Sequence, residues 1–263
     1  MSVAAGAGLG IAFGGRTAAL AEQYAGCGRV QIRDALDPAA AQSIYRCLVE
    51  HKKWNLVYRL GGRHTAGSAQ AIAQWPSTKR RRLEKAIHAE ARQGFQYYFA
   101  SVPMYDIVHQ NLLPGHFFED ILRLLNSTQL LSAVRRVVGD DTVSFADAQA
   151  TRFDCGHFLT SHDDAVDGKN RRAAYVLNLT PAWYADWGGT LQFLTQDGNV
   201  EEGWLPRFNV LNVFRVPSNH SVSLVTPYAG ASRYSITGWF RSGEDIDRPM
   251  RPKPADAPEG DVQ

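Results

Sequence analysis

Apolar positions in the first half of the chain recur mainly at helical spacing, and after about residue 140 they alternate with polar ones at a period of two. "GRVQIRDAL" predicts a short strand. In "DPAAAQSIYRCLVEH" Asp37 stands where an N-cap is expected and Pro38 opens the first turn. Ala41, Ile44 and Leu48 then give that helix one buried stripe. "WNLVYRLGGRHTAGSAQ" predicts a strand running into a Gly/Ser-rich loop, and "STKRRRLEKAIHAEARQGFQYYFA" a charged amphipathic helix. "FFEDILRLLNS" and "TQLLSAVRRVVGDD" complete the helical part, and no internal repeat interrupts it.

The second half reads as short strands: "TVSFADAQATRF", "HFLTSHD", "RRAAYVLNLT", "GTLQFLT", "RFNVLNVFRV", "HSVSLVT" and "RYSITGWFR". Gly188-Gly189 and Asp197-Gly198-Asn199 supply turns between them. Such a run predicts a sandwich, jelly roll or barrel, so the class is α+β. The expected organisation is a flexible lead-in over 1–25 and a single domain over 26–242. Within that domain, helical support spans 37–140 and the strand core 141–242. A tail over 243–263, rich in proline and charge, is expected to be disordered.

Composition narrows the function classes without choosing one. A formal charge of +2 is too mild to imply nucleic acid, and the "KRRR" run at 79–82 reads as a solvated helix face. No apolar run approaches the roughly 18–20 residues that cross a bilayer. Cys27, Cys47 and Cys155 are scattered and odd in number, which fits a reducing cytoplasm better than a disulfide framework.

The candidate chemistry lies in "TSHDDAV". His162 and Asp164 close an extended segment, and residues two apart on a strand project to one face, where an imidazole and a carboxylate can share one ion. Asp163 points the other way, and His157 is not expected to be a ligand. Taken alone this pair is weak evidence, since a solvated turn gives the same pattern. Downstream, His220 opens another strand, and two histidines with one carboxylate form the facial triad that holds non-haem Fe(II) with open positions. Arg233 then begins "RYSITGWF", where Ser235, Thr237 and Trp239 share its face. A buried arginine there would need an anion, and its planar fork suits a carboxylate.

The segments "RFDCGHFLTSHDD", "RRAAYVLNLTPAWYADWGGTLQFL", "PRFNVLNVFRVPSNHSV" and "RYSITGWFRS" together resemble the Fe(II)/2-oxoglutarate dioxygenases. The finer resemblance is to their prolyl 4-hydroxylase-like branch, which includes ribosomal prolyl hydroxylases and bacterial relatives. It implies a double-stranded β-helix, or jelly roll, with supporting N-terminal helices. It also implies His162, Asp164 and His220 as Fe(II) ligands and Arg233 as partner of the distal carboxylate of 2-oxoglutarate. Asn178 stands where relatives commonly carry a tyrosine that contacts the cosubstrate, and Phe153 replaces a second common tyrosine. Phe153, Val176, Val222, Thr237 and Trp239 are expected to line the pocket. The cofactor set implied is Fe(II), 2-oxoglutarate and O2, and retention of Asp164 argues for hydroxylation over halogenation.

No residue names the substrate. The resemblance favours a prolyl residue of a protein or peptide over a small molecule, with "YRLGGRHTAGSAQ" and Tyr97-Tyr98 as a candidate rim and Arg171-Arg172 nearby. The alternatives are a tailoring hydroxylase of a free amino acid, small metabolite or peptide natural product, and a non-catalytic jelly-roll binding module.

Overall fold

The computed structural model describes residues 9–244. Its helices are α1 (Thr17–Cys27), α2 (Pro38–Glu50), α3 (Ala69–Ala73), α4 (Ser77–Ala91), α5 (Met104–His109), α6 (Phe118–Leu125) and α7 (Thr128–Val138). The strands before the strand-rich half are β1 (Arg29–Arg33), β2 (Asn55–Leu60), β3 (Arg63–Ser68) and β4 (Tyr97–Val102). After them come β5 (Val143–Ala146), β6 (Gln149–Phe153), β7 (Phe158–His162), β8 (Arg171–Asn178), β9 (Leu191–Leu194), β10 (Val200–Trp204), β11 (Val210–Arg215), β12 (His220–Val222) and β13 (Arg233–Ser242).

All pair antiparallel in one curled sheet whose order runs β1-β11-β8-β13-β6-β4-β7-β12-β9-β10, with the β2–β3 hairpin added at β4 and β5 at β13. The fold is the expected jelly roll. β8 shows why it closes around a cavity. Ala173, Tyr175 and Leu177 face the helical layer and join the large core, while Ala174 and Val176 face the interior with Phe153, Leu191, Phe214 and Val222. Burial on both faces is what makes this strand read as a continuous apolar run. The helical layer rests on α2, α6 and α7, whose buried stripes include Ile44, Leu48, Ile121, Leu122, Leu130 and Val134.

Several sequence expectations change here. The lead-in is part of the fold from residue 9: Phe13 is fully buried and α1 contributes Leu20 and Tyr24 to the core. The apolar side chains Phe13, Leu20 and Tyr24, spread between glycines and alanines, were too sparse to signal this. The tail from 245 onward lies outside the described residues.

The Gly/Ser-rich loop is instead strand β3, turned back on β2 through Gly61-Gly62, both at positive φ, with Leu60 opposite Arg63. That is the two-residue hairpin geometry glycine pairs favour. The charged helix stops at Ala91, and its expected last turn, "YYFA", opens β4. Gly94 breaks the helix, and the aromatic run suits a half-buried strand better. β10, rich in glutamate, gave no alternating signal.

Candidate metal centre

Strand register and one irregular loop bring the candidate ligands together. β12 pairs with β7 so that His220 lies directly opposite His162. Their rings come to 4.1 Å between centroids. Asp164 arrives differently from expectation. β7 ends at His162, and Asp164 sits past it with φ +65°, a left-handed conformation that a non-glycine residue adopts at a cost of roughly 1–2 kcal/mol. The convergence therefore comes from a turn and not from strand alternation. Asp164 Oδ1 is 3.4 Å from His162 Nε2, and its Oδ2 is 3.4 Å from His220 Nε2.

The donor set suits a divalent cation. One ligand atom from each of the three residues lies within 4.8 Å of the others. Metal–ligand bonds of about 2.0–2.2 Å put neighbouring donors about 3 Å apart, so small rotations would seat an ion. His162 Nδ1 lies 3.0 Å from the Thr160 carbonyl and His220 Nδ1 lies 2.7 Å from the Ser218 carbonyl. A carbonyl only accepts, so both Nδ1 atoms carry the proton and both Nε2 lone pairs face Asp164. Burial lowers the His220 pKa to about 4, leaving it neutral at pH 7. Burial pushes the Asp164 carboxyl up, but the neighbouring His162 and His220 outweigh it, and the net direction is down. Two imidazoles and one carboxylate are the set that holds non-haem Fe(II) with positions left open.

A cavity of about 710 Å³ opens beside the trio. Its walls carry Phe153, Val176, Val222, Thr237 and Trp239. Arg233, also on its wall, is 2% exposed. Its Nε and Nη1 have no hydrogen-bond partner among the described residues, and its guanidinium carbon lies 5.2 Å from the centroid of the Phe153 ring. Burial lowers its pKa to about 10, so it stays a cation. A buried guanidinium without an acceptor is expensive, and an anionic ligand at this place in the cavity would supply the missing partner.

Asn178 does not join it. The side chain is fully buried, with Nδ2 3.4 Å from the Val176 and Val210 carbonyls, Oδ1 unpartnered, and no place on the cavity wall.

Sequence reasoning missed part of the wall. His64 and Tyr97 line the cavity and share a 2.6 Å hydrogen bond, while Phe95 stacks 5.2 Å from His162. Tyr98, next to Tyr97, faces the opposite side and packs with Leu56, Tyr58 and Ile87. Alternation along "QYYFASV" would have separated the two tyrosines had that segment been read as a strand. Arg171 also lines the cavity, but Arg172 is exposed and pairs with Asp140 at 2.6 Å.

Comparison with known proteins points the same way. Residues 148–241 match the model of the 2OG-Fe(II) oxygenase superfamily. The chain is 36% identical over 150 residues to prolyl 3-hydroxylase OGFOD1 of Xenopus laevis, covering 54% of this chain and 27% of that one. It thus spans about a quarter of the length of this curated relative. Among solved structures, a 2OG-Fe(II) oxygenase-family oxidoreductase from Burkholderia pseudomallei superposes with a TM-score of 0.57 at 16% identity, over 92% of this chain and 93% of the other. A Pseudomonas putida prolyl-4-hydroxylase gives 0.52 at 21% identity, over 87% and 100%. At such identities these two speak for the fold. The resemblance read from the four sequence segments is thereby shown for the jelly-roll part of the chain.

Proposed function

We propose that the protein is an Fe(II)- and 2-oxoglutarate-dependent dioxygenase that hydroxylates a prolyl residue of a protein or peptide. One observation carries this reading: a His162–Asp164–His220 donor set and an unpartnered buried Arg233 stand at two places on one cavity. The first needs a cation and the second an anion, and a chelating 2-oxo acid with a distal carboxylate is a molecule that serves both.

Bound at the trio, Fe(II) supplies the oxidising chemistry by which 2-oxoglutarate, O2 and a C–H bond become succinate, CO2 and C–OH. The chain's own work is geometric. Arg233 anchors the distal carboxylate and so fixes which way the oxo-acid end points. Phe153, Val176, Leu191, Phe214 and Val222 form a dry wall that keeps water from the reacting end. The β2–β3 hairpin with Tyr97 and Phe95 forms the opposite wall, where a peptide would lie. The prolyl substrate rests on the similarity to prolyl 3-hydroxylase OGFOD1.

A reducing, cytoplasmic setting is part of the proposal and rests on three free cysteines. No helix among the described residues is long and apolar enough to cross a membrane.

The test is an anaerobic titration with Fe(II) and 2-oxoglutarate, following the visible charge-transfer band of a chelated 2-oxo acid, then succinate release on admitting O2. A band and succinate support the oxygenase. Proline-containing peptides gaining one oxygen by mass spectrometry support the substrate, and separation of 3- from 4-hydroxyproline assigns the carbon. A well-folded protein with neither band nor succinate would leave the binding-module alternative standing.

A further inference from the structure

Arg171 is the cavity residue whose environment the chemistry above does not use. Its guanidinium carbon lies 3.4 Å from the centroid of the Trp239 ring, close enough for a stacked cation–π contact. Its Nη1 donates a 2.8 Å hydrogen bond to the main-chain carbonyl of Asp164. Its Nε is buried and has no hydrogen-bond acceptor among the described residues. Burial lowers its pKa, while the carboxylates of Asp164 and Asp147 act in the opposite direction through space. No salt bridge to either carboxylate accompanies this. A partly buried cation without a contact ion pair is costly to keep, so its other contacts have to justify the position.

Those contacts converge on the weakest point of the metal centre. Asp164 is the ligand held at φ +65° beyond the end of its strand, in a turn where backbone hydrogen bonding is sparse. Strain of this kind persists only where the surroundings over-determine it. Asp163 Oδ1 accepts from the Ala165 N–H on one side, and Arg171 takes the Asp164 carbonyl on the other. Arg171 itself is fixed by its place at the start of β8, where it pairs with Arg241 of β13, and by the face of Trp239 from that same strand. A rigid sheet is thereby connected to a strained loop through one planar side chain.

We infer that Arg171, stacked on Trp239, is a positioning residue that holds the Asp164 main chain in the left-handed conformation presenting its carboxylate to the metal. The inference rests on the proposed metal centre. Partners of this sort typically change metal affinity by 10–100-fold when removed.

The experiment is Mn(II) binding to the full chain with 2-oxoglutarate present, read from the loss of the free-ion EPR signal. It compares wild type, Arg171→Gln, Arg171→Lys, Arg172→Gln and Asp164→Gly, each with its Tm. Arg171→Gln is expected to weaken Mn(II) about 10-fold. Arg171→Lys should lie between it and wild type, since an ammonium can donate to the Asp164 carbonyl but has no plane to stack. Arg172→Gln, altering only an exposed pair, should bind as wild type does. Arg171→Gln should also be non-additive with Trp239→Ala, because either change releases the same guanidinium. A merely structural arginine would lower Tm and leave Mn(II) affinity within twofold, and that result overturns the inference. If wild type binds Mn(II) no better than Asp164→Gly, the metal centre itself is wrong and the inference falls with it.

Discussion

At one place on the cavity wall Asp164 lies between two imidazoles, 3.4 Å from each, and the three bring their donor atoms together. At another Arg233 is more deeply buried than Asp164, and its Nε and Nη1 have no hydrogen-bond partner among the described residues. The first arrangement can exist before its ion arrives, because burial keeps His220 neutral and backbone carbonyls hold both Nδ1 atoms. The second is incomplete until an anion is delivered. Folding alone explains the trio's composition poorly and Arg233's not at all, so the two places together carry more functional information than either does.

The largest effect should come from emptying the first place. Asp164→Gly removes the carboxylate while keeping a residue that tolerates φ +65°. Hydroxylation, or succinate release, should fall on the order of 10³-fold as the triad is lost. The far-ultraviolet circular dichroism spectrum should remain that of wild type. Near-normal turnover in this variant would remove Asp164 from the ligand set.

Emptying the second should separate stability from binding. Arg233→Met replaces an unpaired buried cation with an apolar chain of similar length. Replacing even a buried ion pair by packed apolar side chains is often neutral or stabilising by about 1–4 kcal/mol, and an unpaired cation has less attraction to lose. The ligand-free variant should therefore melt no lower than wild type, whereas the rise in Tm that 2-oxoglutarate gives wild type should vanish. Half-saturation by 2-oxoglutarate should need about 100-fold more, the equivalent of losing one buried charge-assisted pair. A variant that loses stability and keeps 2-oxoglutarate affinity would make Arg233 a structural residue.

Charge burial elsewhere should appear in the pH dependence of stability. His157 is lowered from 6.5 to about 4 by burial, with the field of Asp154 opposing, and His220 is lowered to a similar value, again mainly by burial. A folded pKa below the unfolded one means that the unfolded chain binds protons first. Stability of the metal-free protein should fall as pH drops from about 6.5 to 4. Asp147 works in the other direction. Burial raises it from 3.8 to about 6 against the Trp239 N–H and Arg241, so the folded state takes that proton first and regains part of the loss below pH 6. Urea midpoints at pH 7, 6, 5 and 4 should thus decline less steeply in wild type than in Asp147→Asn. Parallel profiles would mean that the Asp147 carboxyl titrates alike in both states.

How much of this was legible depends on whether a feature lies in the order of residue types or in a turn. His162, Asp164, His220 and Arg233 could be paired from the strand half, because β7, β8, β11 and β13 announce themselves by alternation or by continuous apolar runs. The wall built from β2, β3 and β4 could not, since a Gly-Gly turn looked like a loop and a strand followed a helix too closely. The reason given for pairing His162 with Asp164 also fails in detail: they converge through a left-handed residue that no periodicity encodes. Arg171 was noticed for its charge, while its stacking on Trp239 depends on a β8–β13 register that the sequence does not print.

The smallest effect should come from Asn178, placed by resemblance at the cosubstrate. It lies opposite Ser235 across the β8–β13 ladder, on the same side of β8 as Ala174 and Val176. Those two line the cavity and Asn178 does not, because its shorter side chain turns back to the Val176 and Val210 carbonyls through two long contacts of 3.4 Å. A tyrosine at this position would reach further than an asparagine does. Its unpartnered Oδ1 adds nothing to stability and has a desolvation cost. Asn178→Val should therefore change the 2-oxoglutarate requirement by less than about threefold, and shift Tm little, since both weak contacts and the orphan oxygen go together. A tenfold loss of 2-oxoglutarate affinity would show that the cosubstrate draws the Asn178 amide out of its wall, and that Arg233 does not hold the carboxylate alone.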